Sequence, residues 1–209
     1  MLNSDMANLP ALLHVHHVRD NNGEGKSDGV PEEAFVDDEF FSHDASTHTA
    51  TTFSSRASEI EMQLLQWQCA ASSNVALVGS AECYRTGALI HLYRCLRNKL
   101  PTLTESLGHK IAQVVQTFME CLETLPAGCL PECTLLFPLF MAGGEARHAN
   151  DIAIIRSRLV DILNSRHFKN FASALEVLDE VWASRLRDQA KPVDWSDVLK
   201  EKGWKLALT

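Results

Sequence analysis

Leu135 to Ala146 read LLFPLFMAGGEA, an eight-residue apolar run, Leu135 to Ala142, that contains Pro138 and is closed by Gly143 and Gly144. Such a stretch can be a membrane segment, a phosphate-cradling loop or a buried helix. The run falls far short of the ~20 apolar residues that a membrane span requires. Its glycines lack the Lys-Ser/Thr of a phosphate loop, and no strand pattern precedes them. What remains is a helix that is apolar all round because it is buried on several sides. Pro131 can open it at a first turn, where a missing N–H costs nothing, and Pro138 is expected to kink it. Gly143 and Gly144 would let neighbouring helices approach closely or relieve the bend.

The sequence on both sides has a helical period. Ile60, Leu64, Trp67 and Ala71 mark one stripe; Leu89, Leu92, Tyr93 and Leu96 mark a second, with Arg94, Arg97 and Asn98 on its other face. Leu107, Ile111, Val114, Phe118, Leu122 and Leu125 form the cleanest stripe, which Pro126 and Gly128 should end. Ile152, Ile155, Leu159 and Ile162 follow, then Phe168, Phe171, Leu175, Leu178, Trp182 and Leu186. A last short helix is expected to begin at Asp194 as its cap, with Asp197 at the third helical position. No strand pattern or fixed-period repeat accompanies them. The expected fold is all-α, an irregular multi-helix bundle.

Charge divides the chain of 209 residues unevenly. Residues 1 to 57 hold ten acids against three bases, and residues 58 to 209 hold seventeen against sixteen. The first part strings together DNNGEGKSDG, PEEAFVDDEFF and SHDASTHTATTFSS, with too little apolar surface to offset the entropy of ordering. We therefore expect a disordered acidic tail over residues 1–56 and a helical domain over 57–209. EEAFVDDEFF, Glu32 to Phe41, has the composition either of a solvated linker or of a disordered activation segment. A near-neutral body with no basic stripe has no long-range field for a phosphate backbone, so direct binding to nucleic acid is not expected. The N-terminus lacks the charged and apolar regions of a secretion signal, which points to an intracellular soluble protein.

Metal sites are not expected either. The six cysteines, at 69, 83, 95, 121, 129 and 133, include no C-x-x-C pair, and they read as small hydrophobes in a reducing compartment. His14, His16 and His17 cluster without a nearby carboxylate or cysteine. No cofactor is implied by any motif.

Several pieces, taken in order and spacing, resemble one family. They are Tyr84-Arg85, ALIHLYRCL (Ala88 to Leu96), LPAGC (Leu125 to Cys129), LLFPLFMAGGEA, IRSRL (Ile155 to Leu159), ALEVLDEVW (Ala174 to Trp182) and DWSDVLKEKGW (Asp194 to Trp204). Together, over about residues 84–204, they look like the C-terminal part of the fungal-specific transcription factor domain, the helical regulatory region of fungal zinc-cluster transcription factors. The resemblance implies a nuclear regulator of transcription, often of pathway genes such as secondary-metabolite clusters. Members of this family usually begin with a six-cysteine zinc cluster beside a basic run, and the family domain extends well upstream of YR-x-x-ALI-x-LYR. Neither feature is matched here, so the chain is expected to be a reduced paralogue or part of a longer protein. Its role would then run through partners: a zinc-cluster factor, a second copy of itself, or a small-molecule effector in a helical pocket.

Two competing classes remain open. One is an all-α scaffold. The other is a small metabolic enzyme using Cys133 and His148, with Glu145 and Asp151 close in sequence as base and orienter. Cys133 lies in an apolar stretch and His148 in a polar link, so no catalytic residue is assigned. Trp182, Trp195 and Trp204 read as packing rather than as an effector cage, and Arg156 and Arg158 with Asp161 read as a solvated face.

Overall fold

The computed structural model of the chain describes residues 42–70, 73–187, 193–206 and 208, with side chains from residue 52 on. Among these residues the structure is helical, without strands. Seven α-helices follow in order: α1 Ser42–Gln66, α2 Val75–Lys99, α3 Thr104–Thr124, α4 Leu136–Glu145, α5 Ala149–Arg166, α6 Lys169–Arg187 and α7 Trp195–Lys202. Short 3-10 segments, Pro101–Leu103 and Leu130–Thr134, precede α3 and α4. The all-α expectation holds. Of the expected acidic tail, residues 1–41 lie outside the described residues, and residues 42–56 form the first part of α1.

LLFPLFMAGGEA lies at the heart of the described helices. All ten residues of α4 are buried, and the helix is packed against α2, α3, α5 and α6. Its start differs from the expected kinked helix. Pro131 opens the 3-10 segment, and α4 begins only at Leu136, so Pro138 falls in its first turn. The first helical N–H to donate after it is that of Leu139, to the Leu135 carbonyl at 3.0 Å. A proline there forfeits no helical hydrogen bond, and the expected kink gives way to a helix start. The ring has a packing role as well: a Cβ built at Gly87 of α2 would stand 2.9 Å from the Pro138 Cα and Cβ. At the other end, a Cβ at Gly143 would meet Leu178 at 2.9 Å, and one at Gly144 would meet Trp195 at the same distance. Three glycines thus let α2, α6 and the start of α7 close onto α4.

The stripes read from sequence supply much of the rest of the core: Leu107, Ile111, Phe118 and Leu122 from α3 with Leu125 at its C-cap, Ile155, Leu159 and Ile162 from α5, and Phe171, Leu178 and Trp182 from α6 are buried. Leu64, Leu92, Val114, Ile152 and Leu175 are only partly buried, with Val115 rather than Val114 in the core, and three further positions depart from it. Trp67 stands just past the end of α1, while Phe168 and Leu186, the ends of the α6 stripe, are exposed. Ala71 lies outside the described residues. At α7 the local signals hold: Asp194 accepts from the Ser196 N–H at 2.8 Å, and Gly203 closes the helix in the left-handed region at φ 63°.

Arg158 does not belong to a solvated face. It donates to Glu132 at 2.6 Å and to the Leu125 and Leu122 carbonyls at 2.9 and 3.3 Å. Glu132, buried, also accepts the Gly128 N–H. The guanidinium therefore satisfies carbonyls at the C-terminus of α3, where a cation is favoured, and ties the 3-10 segment to α5. Arg156, by contrast, makes an exposed pair with Asp179 at 2.9 Å, as a solvated face would.

Candidate functional site

Polar side chains converge where α4 ends. Glu145, the last residue of α4, accepts from Arg94 and from both terminal nitrogens of Arg97, at 2.8 and 3.1 Å. Arg94 donates its other nitrogen to Asp194 at 2.6 Å and lies 4.9 Å from the centre of the Trp195 ring. Arg94 was expected on the outer face of its helix, yet it is only 4% exposed. Burial works against the ionised Asp194 carboxyl, but Arg94 and the Ser196 N–H hold it below its ordinary value. Two guanidinium groups thus meet two carboxylates. The balanced set joins α2, α4 and α7 in a place where an unpaired charge would be costly.

Around it, Arg185 of α6 donates to the Ala146 carbonyl at 2.9 Å and to that of Gly144, and the Trp182 indole donates to the Gly143 carbonyl at 2.9 Å. These bonds satisfy carbonyls of the last turn of α4. Burial keeps the Arg185 guanidinium below its ordinary pKa, against the opposite pull of Glu145.

Beside this knot a cleft of about 410 Å³ opens between α3 and the link from α4 to α5. It is lined by Gly108, Ile111, Ala112 and Val115 together with the polar side chains of Arg97, Glu105, His109, Gln116, Glu145, Arg147, His148 and Asp151. Asp151 is buried and accepts the Gln116 amide at 2.9 Å. His148 is the N-cap residue of α5 but makes no side-chain capping bond. The cleft therefore brings together three of the four side chains weighed for catalysis.

The fourth is elsewhere. Cys133 sits in the 3-10 segment and donates its thiol to the Leu130 carbonyl at 2.9 Å, outside the cleft lining. Glu145, saturated by two arginines, is no free base. A nucleophile, base and orienter are not assembled from these four residues. The three tryptophans do not assemble either: Trp182 is buried against α4, Trp195 meets Phe140 edge-on at 5.3 Å, and Trp204 is exposed with Lys202 over its ring. Sequence reasoning missed Arg97, His109, Gln116 and Gly108 as cleft residues. The spacing 105, 108, 112 and 116 puts Gly108 and Gln116 on one face of α3 with Glu105 and Ala112, whereas Arg97 belongs to α2 and His109 falls outside that spacing.

The cysteines are free thiols, of which Cys83 is fully buried, and burial pushes the Cys83, Cys95 and Cys121 thiols up. Among the described residues no group of three His, Cys, Asp or Glu side chains is placed to hold a metal. His14, His16 and His17 lie outside them. Among the described residues no helix is long and apolar enough to cross a membrane.

One histidine should report on stability. Burial, with Arg94 nearby, holds the His91 imidazole below its ordinary pKa, and its Nδ1 has no hydrogen-bond partner among the described residues. The folded chain then binds fewer protons than the unfolded chain between the two His91 values. Stability should therefore be full above about pH 6.5 and fall as acid is added, levelling off below the folded value. Urea midpoints measured from about pH 7.5 down to about pH 5.5 check this. The decline should be shallower in His91→Gln, and an unchanged decline would acquit this imidazole.

Comparison with known families places the chain. The fungal specific transcription factor domain matches residues 32–209, a span that takes in all seven helices and reaches well upstream of the resemblance read from residues 84–204. Searches among curated proteins and among solved structures returned no match. The chain belongs to the fungal specific transcription factor domain family, a membership that supports a transcription-regulator-like role.

Proposed function

We propose, from that membership, that the chain is a helical regulatory module of the fungal zinc-cluster type that works in the nucleus through a protein partner or a small effector. The domain is residues 57–209, with residues 1–56 as its acidic tail. Pathway genes, secondary-metabolite clusters among them, are the class of target that the resemblance implies. The observation that carries this reading is the family match over 32–209. Two others support it. The body is close to neutral, and its 209-residue chain contains no pair of C-x-x-C motifs for reading DNA. Several of its arginines, Arg94, Arg97 and Arg158, are spent on internal carboxylates and carbonyls.

The test is to fuse the chain to a heterologous DNA-binding domain in a fungal host and to read a reporter. The tethered chain should change reporter output, whereas the chain alone should bind no duplex at about 0.15 M salt. Sub-micromolar, sequence-dependent duplex binding by the chain alone would overturn the reading. Cys133→Ser should be neutral in the same assay, since a serine hydroxyl can donate to the Leu130 carbonyl as the thiol does. A stable but inactive Cys133→Ser would revive the enzyme.

A further inference from the structure

Helix α2 turns no charged side outward. The other long helices of the body do: α3 exposes Lys110, Glu120 and Glu123, α5 exposes Asp161 and Arg166, and α6 exposes Lys169 and Glu176. Along α2 every residue from Ala76 to Arg97 is buried or half-buried, and the arginines among them, Arg85, Arg94 and Arg97, are held by Glu82 and Glu145. Helices α1, α3 and α4 pack against it and still leave one stripe half-exposed: Leu77, Ala81, Tyr84, Ala88, His91 and Cys95. These positions are spaced alternately by four and three, the 3.5-residue period of a coiled-coil seam. Burial keeps the His91 imidazole neutral near pH 7, so no member of the stripe is charged. A helix without a charged face is one that is covered all round, and the described helices cover only part of this one.

The order of side chains along the stripe says what covers it. When two identical helices pair antiparallel about a twofold axis, each seam position of one meets a different position of the other. With the axis at Thr86, Leu77 meets Cys95 of the second copy, Ala81 meets its His91 and Tyr84 meets its Ala88, and the same three contacts recur on the other side of the axis. Each large side chain then faces a small one, which is how two packed layers interdigitate. A parallel pair would instead set Tyr84 on Tyr84 and His91 on His91, and leave Ala81 and Ala88 facing their own kind across gaps. The two rings are also held in place beforehand, since Tyr84 stacks on Phe137 and His91 meets the same ring edge-on, each at 6.3 Å. We infer that two copies of this chain associate through α2, antiparallel, with Tyr84 and Ala88 beside the twofold axis. The seam runs about 27 Å along the helix, at the small end of interface sizes, so the dimer is a weak one that forms above about micromolar concentration. This inference rests on the regulatory reading for its biological sense and names a second copy as the partner of that reading.

The full chain, followed by sedimentation equilibrium from about 1 to about 300 μM, should pass from monomer to dimer. Ala88→Glu sets a carboxylate against Tyr84 of the second copy on each side of the axis and should stay monomeric over the whole range. It should keep the helical circular dichroism and the melting temperature of the dilute parent, because residue 88 is half-exposed and glutamate is a good helix former. Cross-linking reads the register, and does so even if Ala88→Glu fails to fold. In oxidised glutathione, Leu77→Cys should give at least about fivefold more disulfide-linked dimer than the parent, through the native Cys95, and Leu77→Cys/Cys95→Ser should lose it. A parent that is monomeric throughout, a dimer that survives Ala88→Glu, or a parent that cross-links through Cys95 alone, as a parallel pair would, overturns the seam. If the parent is monomeric and Ala88→Glu makes residues 1–41 more sensitive to protease, the cover is this chain's own N-terminal segment and the second copy is refuted. A monomeric parent whose tethered reporter output changes with Ala88→Glu puts a different protein on α2 and refutes the second copy as well. Dimerisation through α2 by a chain that is silent when tethered would leave the seam standing and bring down the regulatory reading instead.

Discussion

Glu145→Gln should lower stability by about 3–5 kcal/mol, a large share of the ~5–15 kcal/mol that holds a domain folded. The carboxylate is the one acid that Arg94 and Arg97 share, and both it and Arg94 are almost wholly removed from water. Without its charge, two guanidinium groups are left with Asp194 alone. Arg94→Met should be costly for the complementary reason, since it strands Asp194 and halves the compensation at Glu145. The double variant Arg94→Met/Glu145→Met should lose clearly less than the two singles together, because neither buried charge is left facing an absent partner. Urea unfolding of the four proteins yields the coupling. Singles that each cost below about 1 kcal/mol, and that add, would mean that the network behaves as a solvated surface ion pair.

Phe140→Asp should abolish the folded state outright. The ring is fully buried at the middle of α4 and meets Trp195 edge-on, so the aspartate would sit without water or a cation. Burying an unpaired carboxylate costs several kcal/mol beyond the lost apolar contact. Loss of the cooperative thermal transition and of most helical circular dichroism is the expected result. Phe140→Leu serves as the control, remaining folded with a lowered melting temperature. A Phe140→Asp protein that melts like the parent would remove α4 from the core. Tethered reporter output should follow stability across these variants, as it does for a module that presents a helical surface.

Both predictions draw on features of unequal legibility. Burial of LLFPLFMAGGEA could be read directly, because eight apolar residues in an all-helical context leave a helix no polar face to turn outward. The α3 and α5 stripes and the Asp194 cap were legible for the same reason: each is a relation between residues within a few positions, and helical geometry fixes which of these share a face. Pro138 was read wrongly. Whether a proline kinks a helix or begins it depends on where the preceding turn ends, and here that turn is the Leu130–Thr134 segment, held by Glu132, Gly128 and Arg158. The family resemblance was carried by short pieces after Tyr84, whereas the matched span begins at residue 32.

Charge was the least legible property. Arg94 and Arg97 sit three apart like any solvated pair, but the partners of Arg94 are 51 and 100 residues away, and those of Arg158 lie 26 to 36 residues before it. No spacing rule reaches so far. Glu145, His148 and Asp151 were adjacent enough in sequence to be noticed, while Gly108 and Gln116 of α3 join them in one cleft only through the fold. Period and capping, which operate over a turn or two of backbone, were determined by the sequence alone. Which charges are buried together, which glycines are forced, and which stand open were decided only by tertiary structure, because desolvation and contact depend on how helices from distant parts of the chain come to lie side by side.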